Sequence, residues 1–269
     1  MYLYQPATSS RRRAVAVAVA CAWLVATAPH ASALVWEAVG GMYGGVDEVA
    51  AIPGGALLAR ADGDVWRSPD RGETWTPTGS NTERWVVLGA TAYGVSPDGV
   101  LASHDGGETW RPTGLDAPVR ALATSDDAVY ALTETRVLRL DGDTWREVGD
   151  VTGLEALSTL AMAGEHVFVA RGMPWTNDAV TTMWRLSPGD DTWTSVRQSQ
   201  DLTAGVDALM VADGRILVGR PARSISWSDD LGETWNSDGG PAFASMFAAD
   251  DGFVYTTGEW SFMRSEDGG

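Results

Sequence analysis

The chain has 269 residues, 36 of them acidic against 19 basic, with a formal net charge of −17 and no lysine. Such a surface repels phosphate backbones and anionic membranes, which argues against a nucleic-acid partner unless a local basic patch overrides it. Without lysine no G-x-x-x-x-G-K phosphate loop can form, and the length suits one large all-β domain or two smaller ones.

Residues 1–33 read as a secretion signal: Arg11 to Arg13, an Ala/Val-rich run from Ala14 to Thr27, and Ala31-Ser32-Ala33 as a small-residue cleavage site. The apolar run is too short for a comfortable membrane span, so no span is expected after its removal. Ser10-Arg11-Arg12-Arg13 faintly matches a twin-arginine signal, and Val19-Ala20-Cys21 a lipoprotein box, which would leave the chain lipid-anchored through Cys21. Cleavage after Ala33 instead removes the single cysteine, and with it any disulfide, thiolate metal site or Fe–S cluster. Three arginines leave too, taking 19 basic residues to 16 and the net charge from −17 to −20. A secreted or periplasmic location is the expectation for residues 34–269.

In the first unit of that domain, alternating apolar residues predict strands over Val46–Ile52, Ala56–Arg60 and Asp64–Ser68. A turn then follows that recurs without gaps: Ser68-Pro69-Asp70-Arg71-Gly72-Glu73-Thr74-Trp75, Ser103-His104-Asp105-Gly106-Gly107-Glu108-Thr109-Trp110 and Ser228-Asp229-Asp230-Leu231-Gly232-Glu233-Thr234-Trp235. All three read S-x-D-x-G-E-T-W. Shortened copies at Leu140–Trp145 and Ser187–Trp193 keep the Asp-Thr-Trp end. Trp36, Trp75, Trp110, Trp145, Trp193 and Trp235 stand 39, 35, 35, 48 and 42 residues apart, a period suited to four-stranded blades. The turn chemistry is structural: Gly72, Gly107 and Gly232 supply positive φ, Ser68, Ser103 and Ser228 with Asp70, Asp105 and Asp230 bond the turn's own amides, and Trp75, Trp110 and Trp235 wedge between neighbouring units.

The motif resembles the Asp-box, or BNR, repeat of sialidases, sortilin-type receptors, several glycoside hydrolases and photosystem II assembly factors. The resemblance implies an all-β propeller, closest in style to the assembly-factor-like and sortilin-like propellers. The chain ends Ser265-Glu266-Asp267-Gly268-Gly269, a box lacking E-T-W, while Leu34-Val35-Trp36 carries a Trp with no box before it. Six blades are therefore expected, with Leu34–Val39 closing the last; the alternative is seven blades and a chain truncated inside the motif.

In this architecture ligands meet the face opposite the box turns, so departures from the repeat there mark candidate binding residues. These are Arg171 and Trp175 in the insertion of the fourth unit, Arg220 and Arg223 in the fifth, and Glu259 and Trp260 in the sixth. Leu57, Tyr93, Tyr130, Phe168, Leu217 and Tyr255 align as a core column, which puts Arg60, Arg171 and Arg220 at one repeat position, able to grip a carboxylate. Sialidases also use three arginines, but their Arg-Ile-Pro element is absent and their tyrosine nucleophile has no clear counterpart: three candidate tyrosines sit in the core column and Tyr43 in a Gly-rich turn.

No catalytic residue is assigned. With His104 inside a box turn and His166 starting a strand, no metal site is expected, and no cofactor. The reading is a non-catalytic exported propeller, monomeric, that binds a protein or glycan through its loop-rich face. The alternative is a sialidase-like glycoside hydrolase with Arg60, Arg171 and Arg220 as its anion clamp.

Overall fold

The computed structural model describes residues 46–265 apart from 53–54, 155, 173–179, 200–205, 207, 213, 220–224, 238–245, 251–252 and 258–261. Residues 1–33 read as a signal, the closing strand expected over Leu34–Val39, Asp267 and Gly269 lie outside the described residues.

Among the described residues there are 23 strands in six antiparallel sheets and no helix. The first sheet is β1 (Val46–Ile52), β2 (Ala56–Ala61), β3 (Asp64–Ser68) and β4 (Thr76–Pro77). The second is β5 (Glu83–Leu88), β6 (Thr91–Ser96), β7 (Gly99–Ser103) and β8 (Arg111–Pro112). The third holds β9 (Ala121–Thr124), β10 (Val129–Leu132), β11 (Arg136–Asp141) and β12 (Thr144–Asp150). The fourth holds β13 (Leu157–Ala163), β14 (His166–Arg171), β15 (Val180–Leu186) and β16 (Thr194–Ser199). The fifth holds β17 (Ala208–Ala212), β18 (Arg215–Gly219), β19 (Ser226–Ser228) and β20 (Asn236–Ser237). The sixth has β21 (Met246–Asp250), β22 (Phe253–Thr257) and β23 (Phe262–Ser265). Within each sheet the strands pair in chain order, and the first strands β1, β5, β9, β13, β17 and β21 pack in succession along the inner edge.

The cores lie between sheets, because both faces of each interior sheet are apolar. Ile52, Leu58 and Val65 of the first sheet cluster with Trp85 and Ala92 of the second. Val95 and Val100 of the second meet Leu122, Val129 and Ala131 of the third. Phe168, Ala170 and Met183 of the fourth meet Ile216 and Val218 of the fifth. Each fully buried side chain of this size contributes roughly 1.5–3 kcal/mol. The tryptophan ending each turn covers the core with the preceding sheet: Trp110 the first, Trp145 the second, Trp193 the third and Trp235 the fourth. Its indole N–H also crosses that boundary, from Trp145 to the Thr113 hydroxyl at 3.0 Å, from Trp193 to the Asp150 carbonyl at 2.8 Å and from Trp235 to the Val196 carbonyl at 2.8 Å.

The S-x-D-x-G turns join third to fourth strands and are held from within. The buried Ser68, Ser103 and Ser228 hydroxyls accept the N–H groups of Gly72, Gly107 and Gly232 at 2.7, 2.8 and 2.8 Å. Asp70 accepts the Thr74 backbone N–H at 2.8 Å and its hydroxyl at 2.6 Å, and Asp105 with Thr109 and Asp230 with Thr234 repeat the arrangement. These bonds hold the Asp105 carboxyl far below the usual range and lower Asp230 to about 2. Gly107 is required twice over: its φ is +85°, and a Cβ there would lie 2.5 Å from the Leu58 side chain.

Register corrects one sequence reading. The turn serines pair opposite Leu57, Ala92 and Ile216, so the core column contains Leu58, fully buried, and not Leu57. A one-residue slip in a strand changes the face, and Arg60 follows it. Arg60 lies two residues beyond Leu58 and faces the second sheet, whereas Arg171 lies three beyond Phe168, on the face that Val169 and Trp184 present to the third sheet. Arg60 and Arg171 therefore do not share a repeat position.

Candidate recognition face

Because β2, β6, β10, β14 and β18 start at the turn-bearing end, their last residues, the loops after them and the sheet-to-sheet connections gather at the opposite end. There the inner strands open with register shifts, between Val46 and Glu48, between Glu83 and Val86, and between Leu157 and Thr159. A bulge turns successive amides to one side. Arg84, with φ +52°, is at the centre of the second of these. The N–H groups of Arg84 and Trp85 consequently converge on the two carboxylate oxygens of Glu48, each at 2.8 Å.

Glu83 lies beside this brace and takes a cation on each oxygen, Arg60 at 2.6 Å and Arg84 at 2.9 Å. Burial pushes the Glu48 carboxyl up; the two amides oppose that shift, the Glu83 charge adds to it and Arg60 subtracts. A shallow cleft of about 350 Å³ opens beside the cluster, lined by Arg60, Asn81, Thr82, Glu83, Ser96 and Pro118 among others. Further along the inner edge, Arg120 donates to the Leu157 carbonyl at 3.3 Å and to Glu134 at 3.4 Å.

Arg171 ends β14 on this face. Its guanidinium stacks 5.6 Å from the centre of the Trp184 ring, and its buried Nε has no hydrogen-bond partner among the described residues. Trp175, Arg220, Arg223, Glu259 and Trp260 lie outside the described residues. Ser265 closes β23, with only its backbone described. Glu48 and Glu83 were not singled out from sequence: among 36 acids nothing marks two near the starts of neighbouring inner strands until the register is known. Among the described residues no three His, Cys, Asp or Glu side chains form a group able to hold a metal, and no helix is long and apolar enough to cross a membrane.

No protein-family model and no curated protein sequence matches the chain. Solved structures do. PorZ, a surface component of the type-IX secretion system of Porphyromonas gingivalis, superimposes with TM-score 0.60 at 14% identity, over 82% of this chain and 31% of that one. YCF48 bound to a D1 peptide gives 0.58 at 13% identity, over 80% and 76%. The extracellular domain of BT4673 from B. thetaiotaomicron gives 0.60 at 11%, over 83% and 32%. The fold is a β-propeller. The chain spans only about a third of the length of PorZ and of the BT4673 domain, with 31% and 32% covered, and at these identities the likeness is one of fold. Each sheet is a blade, and the inner strands line the propeller's centre. The brace of Glu48, Arg84 and Trp85 therefore sits where the first two blades meet around that centre.

Proposed function

We infer that this chain is an exported, non-catalytic propeller of Asp-box repeats that binds a protein or glycan partner on the face opposite its S-x-D-x-G turns. One observation carries the reading: the two acids that the inner strands bring together on this face, Glu48 and Glu83, are engaged within the protein. Glu48 has an amide on each oxygen and Glu83 a guanidinium on each, which accounts for both as braces between the first two blades and weighs against their serving as the acid and nucleophile of a hydrolase. Arg60 is held by Glu83 on the side of its sheet turned to the next blade, whereas Arg171 lies on the side of its sheet turned to the preceding one, which weighs against the anion clamp of the hydrolase alternative. The three matching turns and the signal-like residues 1–33 support the repeat assignment and export. That a propeller of this shape is seen with a peptide, in YCF48, supports recognition as a use of the scaffold.

Trp175 and Trp260, with Arg171, Arg220, Arg223 and Glu259, are the proposed contact residues, the exposed cleft beside Arg60 extending the surface. A glycan and envelope-protein binding screen comparing wild type with the Trp175→Ala, Trp260→Ala double variant tests this. Loss of the captured ligand in the variant supports the patch; unchanged capture removes it. Turnover of a glycan substrate by wild type would overturn the non-catalytic reading.

A further inference from the structure

The third strand of each blade has one position directly before the turn, and in three of the blades described an arginine occupies it. In the first blade it is Arg67, which donates to the Gly106 carbonyl at 2.7 Å and the Asp105 carbonyl at 3.4 Å of the next blade's turn. In the fourth it is Arg185, which reaches the Leu231 carbonyl at 2.7 Å and Glu233 at 2.9 Å, again across the boundary. In the third it is Arg139, which bonds Asp141 and Asp127. The fifth has Trp227 there, with the Arg215 guanidinium 5.9 Å from its ring. In the first, third and fourth blades a guanidinium lies at this place, and in the fifth one stacks on the tryptophan that occupies it.

The second blade has Ala102, shown by its pairing with Tyr93 to stand in the same register as Arg139 opposite Tyr130. The turn of the facing third blade is also cut down, to Gly142 and Asp143 between Asp141 and Thr144. What remains is a groove of about 270 Å³ with buried Ala102 at its base and His104, Asp105, Thr109 and Arg111 around it. Tyr93 stands beside Ala102, and the Asp143 charge reaches it from the third blade, adding to the burial that pushes its phenol up. The Thr91 hydroxyl occupies His104 Nδ1 at 3.0 Å.

We propose that this groove receives the guanidinium of an arginine side chain from a basic polypeptide partner, in the place where the sister blades seat their own. Asp143, in the shortened turn of the facing blade, and the Thr109 hydroxyl supply acceptors, and a chain of net charge −17 favours a cationic partner. Arg111 on the rim does not oppose it: in the third blade Arg146 occupies the paired position directly across from Arg139, beside a seated guanidinium. The groove adjoins the S-x-D-x-G turn, at the opposite end from the brace of Glu48, so the inference stands apart from the function proposed above.

The test is calorimetric titration of the purified chain with acetyl-Gly-Arg-Gly-amide, and with the same peptide carrying neutral citrulline for arginine. The arginine peptide is expected to bind, and citrulline to weaken it about tenfold or more. Ala102→Arg fills the groove from within and abolishes binding, while Asn236→Arg, the same charge added on the exposed β20, leaves it unchanged. Asp143→Asn, in an exposed turn, weakens it several-fold, and this second variant reads the site even if Ala102→Arg lowers stability. No binding to wild type, equal binding of the citrulline peptide, or full binding by both Ala102→Arg and Asp143→Asn would overturn the proposal.

Discussion

The Glu48 carboxylate and the backbone N–H of Trp85, 37 residues apart in the chain, meet at 2.8 Å and join the first two blades at the centre of the propeller. The same carboxylate holds the Arg84 amide, so truncating Glu48 leaves two donors without their acceptor. Glu48→Ala is expected to lower stability by about 1–3 kcal/mol in urea unfolding. Glu48→Gln, with a single acceptor oxygen, should fall between. A loss no larger than that of an exposed glutamate such as Glu134→Ala would show that the brace contributes nothing.

Burial raises the Glu48 carboxyl while the turn bonds lower Asp70, Asp105 and Asp230, and the two effects have opposite signs. For Glu48 the native state holds its proton to higher pH than the unfolded chain, so its contribution falls as pH rises from the ordinary glutamate value of 4.5 through the raised native value. For the aspartates the contribution is present above the ordinary aspartate value of 3.8 and is lost as pH falls through the native value, about 2 for Asp230. Thermal unfolding from pH 2 to 8 should show a shallow decline on the neutral side that Glu48→Gln flattens, and an acid limb that Asp230→Asn flattens. Identical profiles for wild type and Asp230→Asn would disprove the turn's role in acid stability.

How far the sequence foretold this depends on the type of interaction. Period-2 alternation and the gapless turns made β1, β3 and the order of strands legible, since burial and turn chemistry are local. The observed β2 ends one residue later than read, at Ala61. The column error at Leu57 has a physical source: Leu57 and Leu58 are both large and apolar, so composition cannot say which faces the core. Only the pairing of Leu57 with Ser68 decides it. The brace at Glu48 was not legible because it depends on a bulge at Arg84, which changes no residue type in the pattern. The Ala102 groove was hidden for a related reason, since an absent arginine is visible only after the sister blades are aligned by register.

The turn tryptophans make a finer comparison. Trp145 and Trp193 donate across a blade boundary, but the buried Trp110 indole N–H has no acceptor among the described residues. Replacing Trp145 or Trp193 by Phe should cost about 1 kcal/mol for the bond beyond the loss of ring area. Trp110→Phe loses the same area and no bond, and relieves a buried donor, so it should be the mildest of the three in chemical denaturation. If Trp110→Phe is the most damaging, ring packing outweighs the indole bond.

The last prediction separates backbone strain from close approach at two glycines with nearly equal φ, Gly63 at +87° and Gly107 at +85°. A Cβ at Gly63 meets nothing within 4 Å, so Gly63→Ala pays only for the left-handed backbone, about 1 kcal/mol. At Gly107 the same methyl would stand 2.5 Å from the Leu58 side chain, which is fully buried between the first two blades and cannot retreat without disturbing Val65 and Trp85. Gly107→Ala should therefore cost about 1–3 kcal/mol more than Gly63→Ala. Combining it with Leu58→Ala, which opens the space, should give a double variant more stable than the sum of the single losses, the coupling read from a double-mutant cycle. Strict additivity would mean that the strain at Gly107 lies in its φ alone and that the contact with Leu58 is relaxed by a small shift of the turn.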